Sequence, residues 1–337
     1  RRPKRLALSM KLAAAKRSSS TSAASARRKA ATKRNGAAVA TVLDKFRRRT
    51  RVRKAARLFL LERFESLVAC VPAALAGDPE AGIHAMRVEA KRLREALRLF
   101  RRAYRRDSFD HLLAEIETLN DRLGAVRDAD VLDAHLADLP GVAETEELTP
   151  LRAELASQRE RDLTTFHTAL GELAASDFEA RFRDLIINGR HRIDHKVAGR
   201  KLSWFAPREV GRRLRRVLKR IRAVSGEFDV HGLHEVRIAN KQLRYAMETF
   251  ASIYDRRFQR ALDAVVELHS RLGDVHDLDV LIERLDQWTA EHGPTEDLTA
   301  QLEALRTRRA KAYARAERWL TREGARSFGH TVMDTLD

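Results

Sequence analysis

The sequence predicts an all-α protein: two tandem four-helix bundles related by internal duplication, preceded by a disordered basic N-terminal arm. Three observations carry this. The 337 residues are dominated by Ala, Leu, Arg and Glu, with 15 Gly, 7 Pro and only 6% aromatic residues, a composition that favours helix over sheet. Apolar residues recur with the helical period over most of the chain beyond residue 36. Two distinct signatures also recur in the same order about 150 positions apart, and a unit of four amphipathic helices is large enough to close its own core.

Residues 1–35 hold twelve Lys or Arg and no acid, among alanines and a Ser18–Ser22 run, which predicts an arm with almost nothing to pack. The net charge is +18, so the remaining 302 residues carry only +6. Anion binding by the body must therefore rest on where its cations stand. The expected organisation is an arm over 1–36, a first bundle over 37–198, a second over 199–325 and a tail over 326–337. In the first bundle the period predicts a helix over 38–70, a turn at Pro72, Gly77 and Pro79, and a helix from His84 to Arg106. A third helix runs from Ser108 to the Pro140-Gly141 break, a fourth covers 147–175, and a further helix covers 177–196. The pattern restarts after Gly199 with a helix from Pro207, placed at a first helical position, to Val224. The His234 helix, a helix through Gly273 and a last one over 296–322 follow.

The first signature is His84-Ala-Met-Arg87-Val-Glu-Ala-Lys91-Arg-Leu-Arg94, repeated as His234-Glu-Val-Arg237-Ile-Ala-Asn-Lys241-Gln-Leu-Arg244. Spacings of i, i+3, i+7 and i+10 place each quartet on one helical stripe about 15 Å long. Val236, Leu243, Met247 and Phe250 take the opposite face. Such a row suits an extended polyanion better than one small ligand, because Lys and Arg make charge-assisted hydrogen bonds to phosphate oxygens. Arg98 extends the first row. Arg208, Arg212, Arg215 and Lys219 form another stripe, and Arg159 and Arg309 are further candidates on the fourth helices. His84 and His234 head their rows beside fixed cations, which should lower their pKa, so binding a polyanion is expected to take up protons. The second signature is Leu123-Gly124-Ala-Val-Arg127-Asp128-Ala-Asp130-Val131, repeated as Leu272-Gly273-Asp-Val-His276-Asp277-Leu-Asp279-Val280.

These residues resemble the CHAD domain family (conserved histidine α-helical domain), whose pattern is a His-x-x-Arg-x-x-x-Lys-x-x-Arg helix followed by a Leu-Gly-x-x-Arg-Asp-x-Asp-Val segment, repeated once. The resemblance covers about 38–325 and leaves out the arm. It implies two four-helix bundles, inorganic polyphosphate bound by basic surfaces in a groove or pore between them, and association with polyphosphate granules, as in the phosins. Gln242 in place of Arg92, His276 in place of Arg127 and Glu248 in place of Arg98 make the second copy the less basic.

No catalytic residues, cofactor or metal site are assigned, and a non-enzymatic binding module is expected. Asp128/Asp130 and Asp277/Asp279 point apart on a helix, so pairing with Arg or His suits them better than chelating Mg²⁺. The i, i+4 pair His191/His195 lacks the Cys or intervening Glu of common zinc sites. No apolar run of about 20 residues suggests a membrane span, and the single Cys70 precludes an internal disulfide. A cytoplasmic protein is expected. The alternative partner is nucleic acid, through residues 1–35 and the basic rows, although exposed aromatics for base stacking are few.

Overall fold

A computed structural model describes residues 46–104, 106–139, 148–189 and 194–336. The arm and His191 lie outside them. Among the described residues all regular structure is helical apart from one isolated backbone pairing, and no helix is long and apolar enough to cross a membrane.

The helices are α1 Val52–Leu75, α2 Ala85–Phe100, α3 Arg106–Ala137, α4 Thr149–Ala175, α5 Phe178–Arg183 and α6 His195–Ala198. They continue as α7 Leu202–Ile221, α8 Val230–Phe250, α9 Arg256–His292, α10 Glu296–Leu320 and α11 Arg322–Met333. Pro72 falls inside the last turn of α1 rather than ending it, at the cost of the one hydrogen bond its N–H would have given to the carbonyl four residues back. The turn comes at Gly77, whose φ of 71° lies in the left-handed region. A π-helical turn, Pro79–His84, then leads into α2, and the Asp78 carboxylate accepts from the Glu80 and Ala81 amides. Gly82 in this turn lies so close to α1 that a Cβ would sit 2.4 Å from the Ala73 carbonyl oxygen.

Several boundaries differ from expectation. The first helix, expected over 38–70, is α1 at Val52–Leu75, and residues 46–51 are not helical. The segment expected as one helix over 177–196 is broken into α5, a π-helical turn Asp184–Asn188 and the single turn α6. Helix α7 starts five residues before Pro207, which is an interior residue and not the first. The expected tail contains most of α11, because Ala325, Phe328 and Val332 form a buried stripe at i, i+3 and i+7.

Each helix packs on the next in chain order, α1 to α4 and again α7 to α10, while α11 folds back on α10, α9 and α7. Val42–Asp337 cluster as one compact unit. Arg51 and Lys201 pair antiparallel at the starts of α1 and α7, the Val52 amide donating to the Arg200 carbonyl and the Leu202 amide to the Thr50 carbonyl, both at 2.8 Å. Phe100, Phe205 and Phe250 form a buried aromatic cluster where α2, α7 and α8 meet. At the other end, Leu136, Leu151 and Leu155 of the α3–α4 hairpin join Leu281, Leu285 and Trp288 of α9. Residues 150 positions apart occupy like surroundings. Both α2 and α8 end in a 3₁₀ turn, Arg101–Ala103 and Ala251–Ile253, followed by the stacked pairs Tyr104/Phe109 and Tyr254/Phe258. Where such residues touch, as Arg51 with Lys201 and Phe100 with Phe250, they touch each other.

Candidate anion site

Helices α2 and α8 are amphipathic in the same register. Met86, Ala90 and Leu93 on one, and Val236, Ala239 and Leu243 on the other, are buried, while His84, Arg87, Lys91, Arg94, His234, Arg237, Lys241 and Arg244 are half-buried. Because α2 packs on α8, the two rows come within electrostatic reach of each other. Lys91 feels Lys241, Lys241 feels Arg94 and Arg87, and Arg237 feels Arg87.

The ends of the rows are neutralised by acids from neighbouring positions. Arg87 donates to Asp128 at 2.7 Å, Arg94 pairs with Glu95 at 3.1 Å, Arg98 with Glu95 at 3.0 Å and with Glu117, and Arg244 with Glu248 at 2.7 Å. The middle is not. Among the described residues Lys91, Arg237 and Lys241 form no ion pair, and the Arg237 Nε is buried without a hydrogen bond.

The consequence shows in the protonation of these groups. Burial, reinforced by Arg87 and Lys241, pushes Lys91 down to about 7. Burial and Arg94 push Lys241 down to about 8. Each lowered pKa marks a charge whose lost hydration and neighbouring cations outweigh the nearest acid, Asp128 for Lys91 and Glu95 for Lys241, the environment an arriving anion corrects.

Helix α9 adds two histidines: His269, absent from the sequence expectations, and His276, which stands where the first copy has Arg127. His269, whose Nδ1 is buried without a hydrogen bond, is pushed down to about 3 by burial and then by Arg244, Arg237 and the two lysines. His276 is pushed down to about 4 by burial and Arg237. Its Nδ1 lies 3.4 Å from the Nδ1 of His234, and burial followed by Arg237 holds His234 below the usual histidine range. The sequence signal for His269 is its offset from Asn120. In the first half Asn120 instead donates to the Ala90 carbonyl at 3.0 Å, closing the helix contact with neutral hydrogen bonds.

The second signature acts as a set of clamps, as the pairing argument expects. Asp128 holds Arg87, Asp130 holds Arg159 of α4, and Asp279 holds Arg309 of α10 at 2.7 Å. Asp277, pushed up by burial, lies near Arg237. Arg159 and Arg309, expected as anion ligands, are thus each engaged by an aspartate in the free protein. Arg309 is only 6% exposed and also donates to the Glu227 carbonyl at 2.7 Å, so its guanidinium is already occupied. On α7, Arg208 lies over the Trp204 ring, 4.4 Å from its centroid, and Arg212 makes a fork with Glu209. Arg215 and Lys219 remain exposed. Gln242, the departure from the first copy, accepts from Arg216 at 2.8 Å. No group of three or more His, Cys, Asp or Glu among the described residues is placed to hold a metal ion.

A family model described as the CHAD domain matches residues 58–286, and again 265–336. The chain belongs to the CHAD domain family. Two solved structures share the CHAD fold over 85% of this chain. The CHAD domain from the plant Ricinus communis is 24% identical, with a TM-score of 0.59 over 93% of its own length. PptA from Streptomyces chartreusis is 16% identical, with a TM-score of 0.57 over its whole length. A search of curated proteins found no match. The likeness to PptA overturns the expectation that this CHAD chain is not an enzyme. A fold hosts sites of many kinds, and sharing it with that protein leaves no ground for excluding catalysis.

Proposed function

We propose that this chain binds inorganic polyphosphate along the paired rows of α2 and α8. His84, Arg87, Lys91 and Arg94 line one side, His234, Arg237, Lys241 and Arg244 the other, and Arg98, Arg215 and Lys219 extend the path. The observation that carries the reading is the uncompensated middle of the rows, where burial and neighbouring cations hold Lys91 and Lys241 near neutrality. A chain of phosphates about 15 Å long spans ten helical residues and supplies a negative charge at every unit. Membership of the CHAD family supports polyphosphate-related binding, and association with polyphosphate granules is part of the same reading.

The test is competition among polyphosphate, single-stranded DNA and RNA at matched phosphate concentration, on the intact chain and on a Lys91→Met/Lys241→Met variant. Polyphosphate should win, and the variant should lose at least about tenfold in affinity, a modest loss for two charge-assisted contacts. Equal binding of all three polymers, unchanged in the variant, would place binding outside the rows, in the alternative assigned to residues 1–35. The same samples, assayed for released phosphate with Mg²⁺, report whether binding is accompanied by hydrolysis.

A further inference from the structure

A cavity of about 880 Å³ lies between α7 and α11, lined by no residue of the α2 and α8 rows. These helices run antiparallel. A Cβ on Gly211 would meet the Met333 sulfur at 3.9 Å, and one on Gly329 would meet Leu218 at 3.1 Å. The groove opens where the end of α7 and residues 222–224 pass the start of α11. Its chemistry divides cleanly. Leu214, Leu218, Ile221, Leu320 and Met333 line it with hydrocarbon, and Met333 is 44% exposed. Arg215, Arg222, Arg322, Arg326 and His330 also line it, and no acid does. None of these four arginines is in an ion pair among the described residues.

We infer that this groove binds an anionic amphiphile, a single alkyl chain bearing a phosphate, sulfate or carboxylate head, with the tail on the leucines and Met333 and the head among Arg322, Arg326 and Arg222. Charge and polarity select this occupant. An inorganic polyanion has nothing to cover the apolar floor. The arm at 1–35, with twelve cations and no acid, repels the rim. The volume falls in the range of about 300–1,000 Å³ that small amphipathic ligands fill. The inference does not rest on the polyphosphate reading.

The test is calorimetric titration of the intact chain with dodecyl phosphate below its micelle concentration, set against octyl phosphate, dodecyl maltoside and inorganic polyphosphate. One equivalent of dodecyl phosphate should bind. Each methylene buried is worth about fourfold in affinity, so octyl phosphate, four methylenes shorter, should bind more weakly by roughly 250-fold. The uncharged maltoside should also fall behind, by about tenfold or more, through loss of the charge-assisted contacts. Arg322→Ala/Arg326→Ala, both exposed positions whose folding circular dichroism verifies, should reproduce that loss for dodecyl phosphate and leave polyphosphate affinity unchanged. Two results overturn the inference: many equivalents bound per chain, or equal affinity in the double variant. Failure of polyphosphate to bind at all would count against the reading of the rows and leave this groove as argued.

Discussion

The rings of Phe100 and Phe250, the last residues of α2 and α8, meet edge to face with centroids 6.4 Å apart and planes at 83°. Both are fully buried, and Phe205 packs against each of them. This contact pins the two basic helices together at one end, so it sets the spacing between rows whose charges repel. Phe250→Ala should cost about 3–5 kcal/mol, read as a shift of the urea midpoint. In the fraction that stays folded, polyphosphate affinity should fall, because the rows lose their fixed separation. An affinity unchanged in the folded variant would mean that the rows bind independently of each other.

Stability of the free protein should rise with pH between about 7 and 9. The native state binds fewer protons than the unfolded chain wherever a lysine pKa is lowered by folding. Lys91 at about 7 and Lys241 at about 8 make stability climb from their native pKa values toward the unfolded value near 10.4. Below about 7 both states are protonated, and the full cost of the buried charges is felt. Urea titrations of the intact protein and of Lys91→Met/Lys241→Met should diverge most near pH 6.5 and converge as pH rises. Parallel curves would show that these lysines are not electrostatically strained.

Polyphosphate should reverse that strain and be bound with uptake of protons. The sign follows from pKa values that are low in the free protein and raised in the complex. Affinity is greatest below the free-state value, falls as pH climbs toward the bound-state value, and levels off above it. The sequence suggests His84 and His234 as the titrating groups, but burial and Arg237 hold His234 below the usual histidine range, and the window near pH 8 belongs to the lysines. Calorimetry at pH 8 in buffers of different ionisation enthalpy should detect uptake in the intact protein and in His84→Gln/His234→Gln. Uptake should vanish in Lys91→Arg/Lys241→Arg, whose guanidiniums remain charged. Uptake that disappears with the histidines instead would return the switch to them.

The difference between lysine and histidine shows where sequence reading stops. Periodicity placed His84, Lys91, His234 and Lys241 on single stripes and put the helices in order, because both are local properties of 3.6-residue repetition. It could not show that α2 packs on α8 so closely that Lys91 and Lys241 lose water, since that depends on contacts 150 residues apart. His269 was passed over for the same reason. Pro207 reads locally as a first helical position, but the pairing of Arg51 with Lys201 is followed directly by α7, whose start lies five residues earlier. The Asp-x-Asp acids diverge whatever packs around them, since residues two apart on a helix point in different directions, and Asp128, Asp130 and Asp279 each engage an arginine.

Arg309 separates a fold role from a binding role. Its guanidinium is 6% exposed and divided among Asp279 at 2.7 Å, the Glu227 carboxylate at 3.4 Å and the Glu227 carbonyl. Removing one partner of a buried pair leaves the other charge stranded, at a cost of about 3–5 kcal/mol. Arg309→Ala should therefore lower the urea midpoint steeply. Asp279→Asn, which keeps a hydrogen-bond acceptor in place, should cost less. Arg159→Ala should also cost less, because Arg159 is more exposed and its partner Asp130 has Arg127 nearby. Under conditions where each variant stays folded, polyphosphate affinity should match the intact protein, in contrast to Lys241→Ala. A loss of affinity in folded Arg309→Ala, without a shift in midpoint, would return this arginine to the anion path.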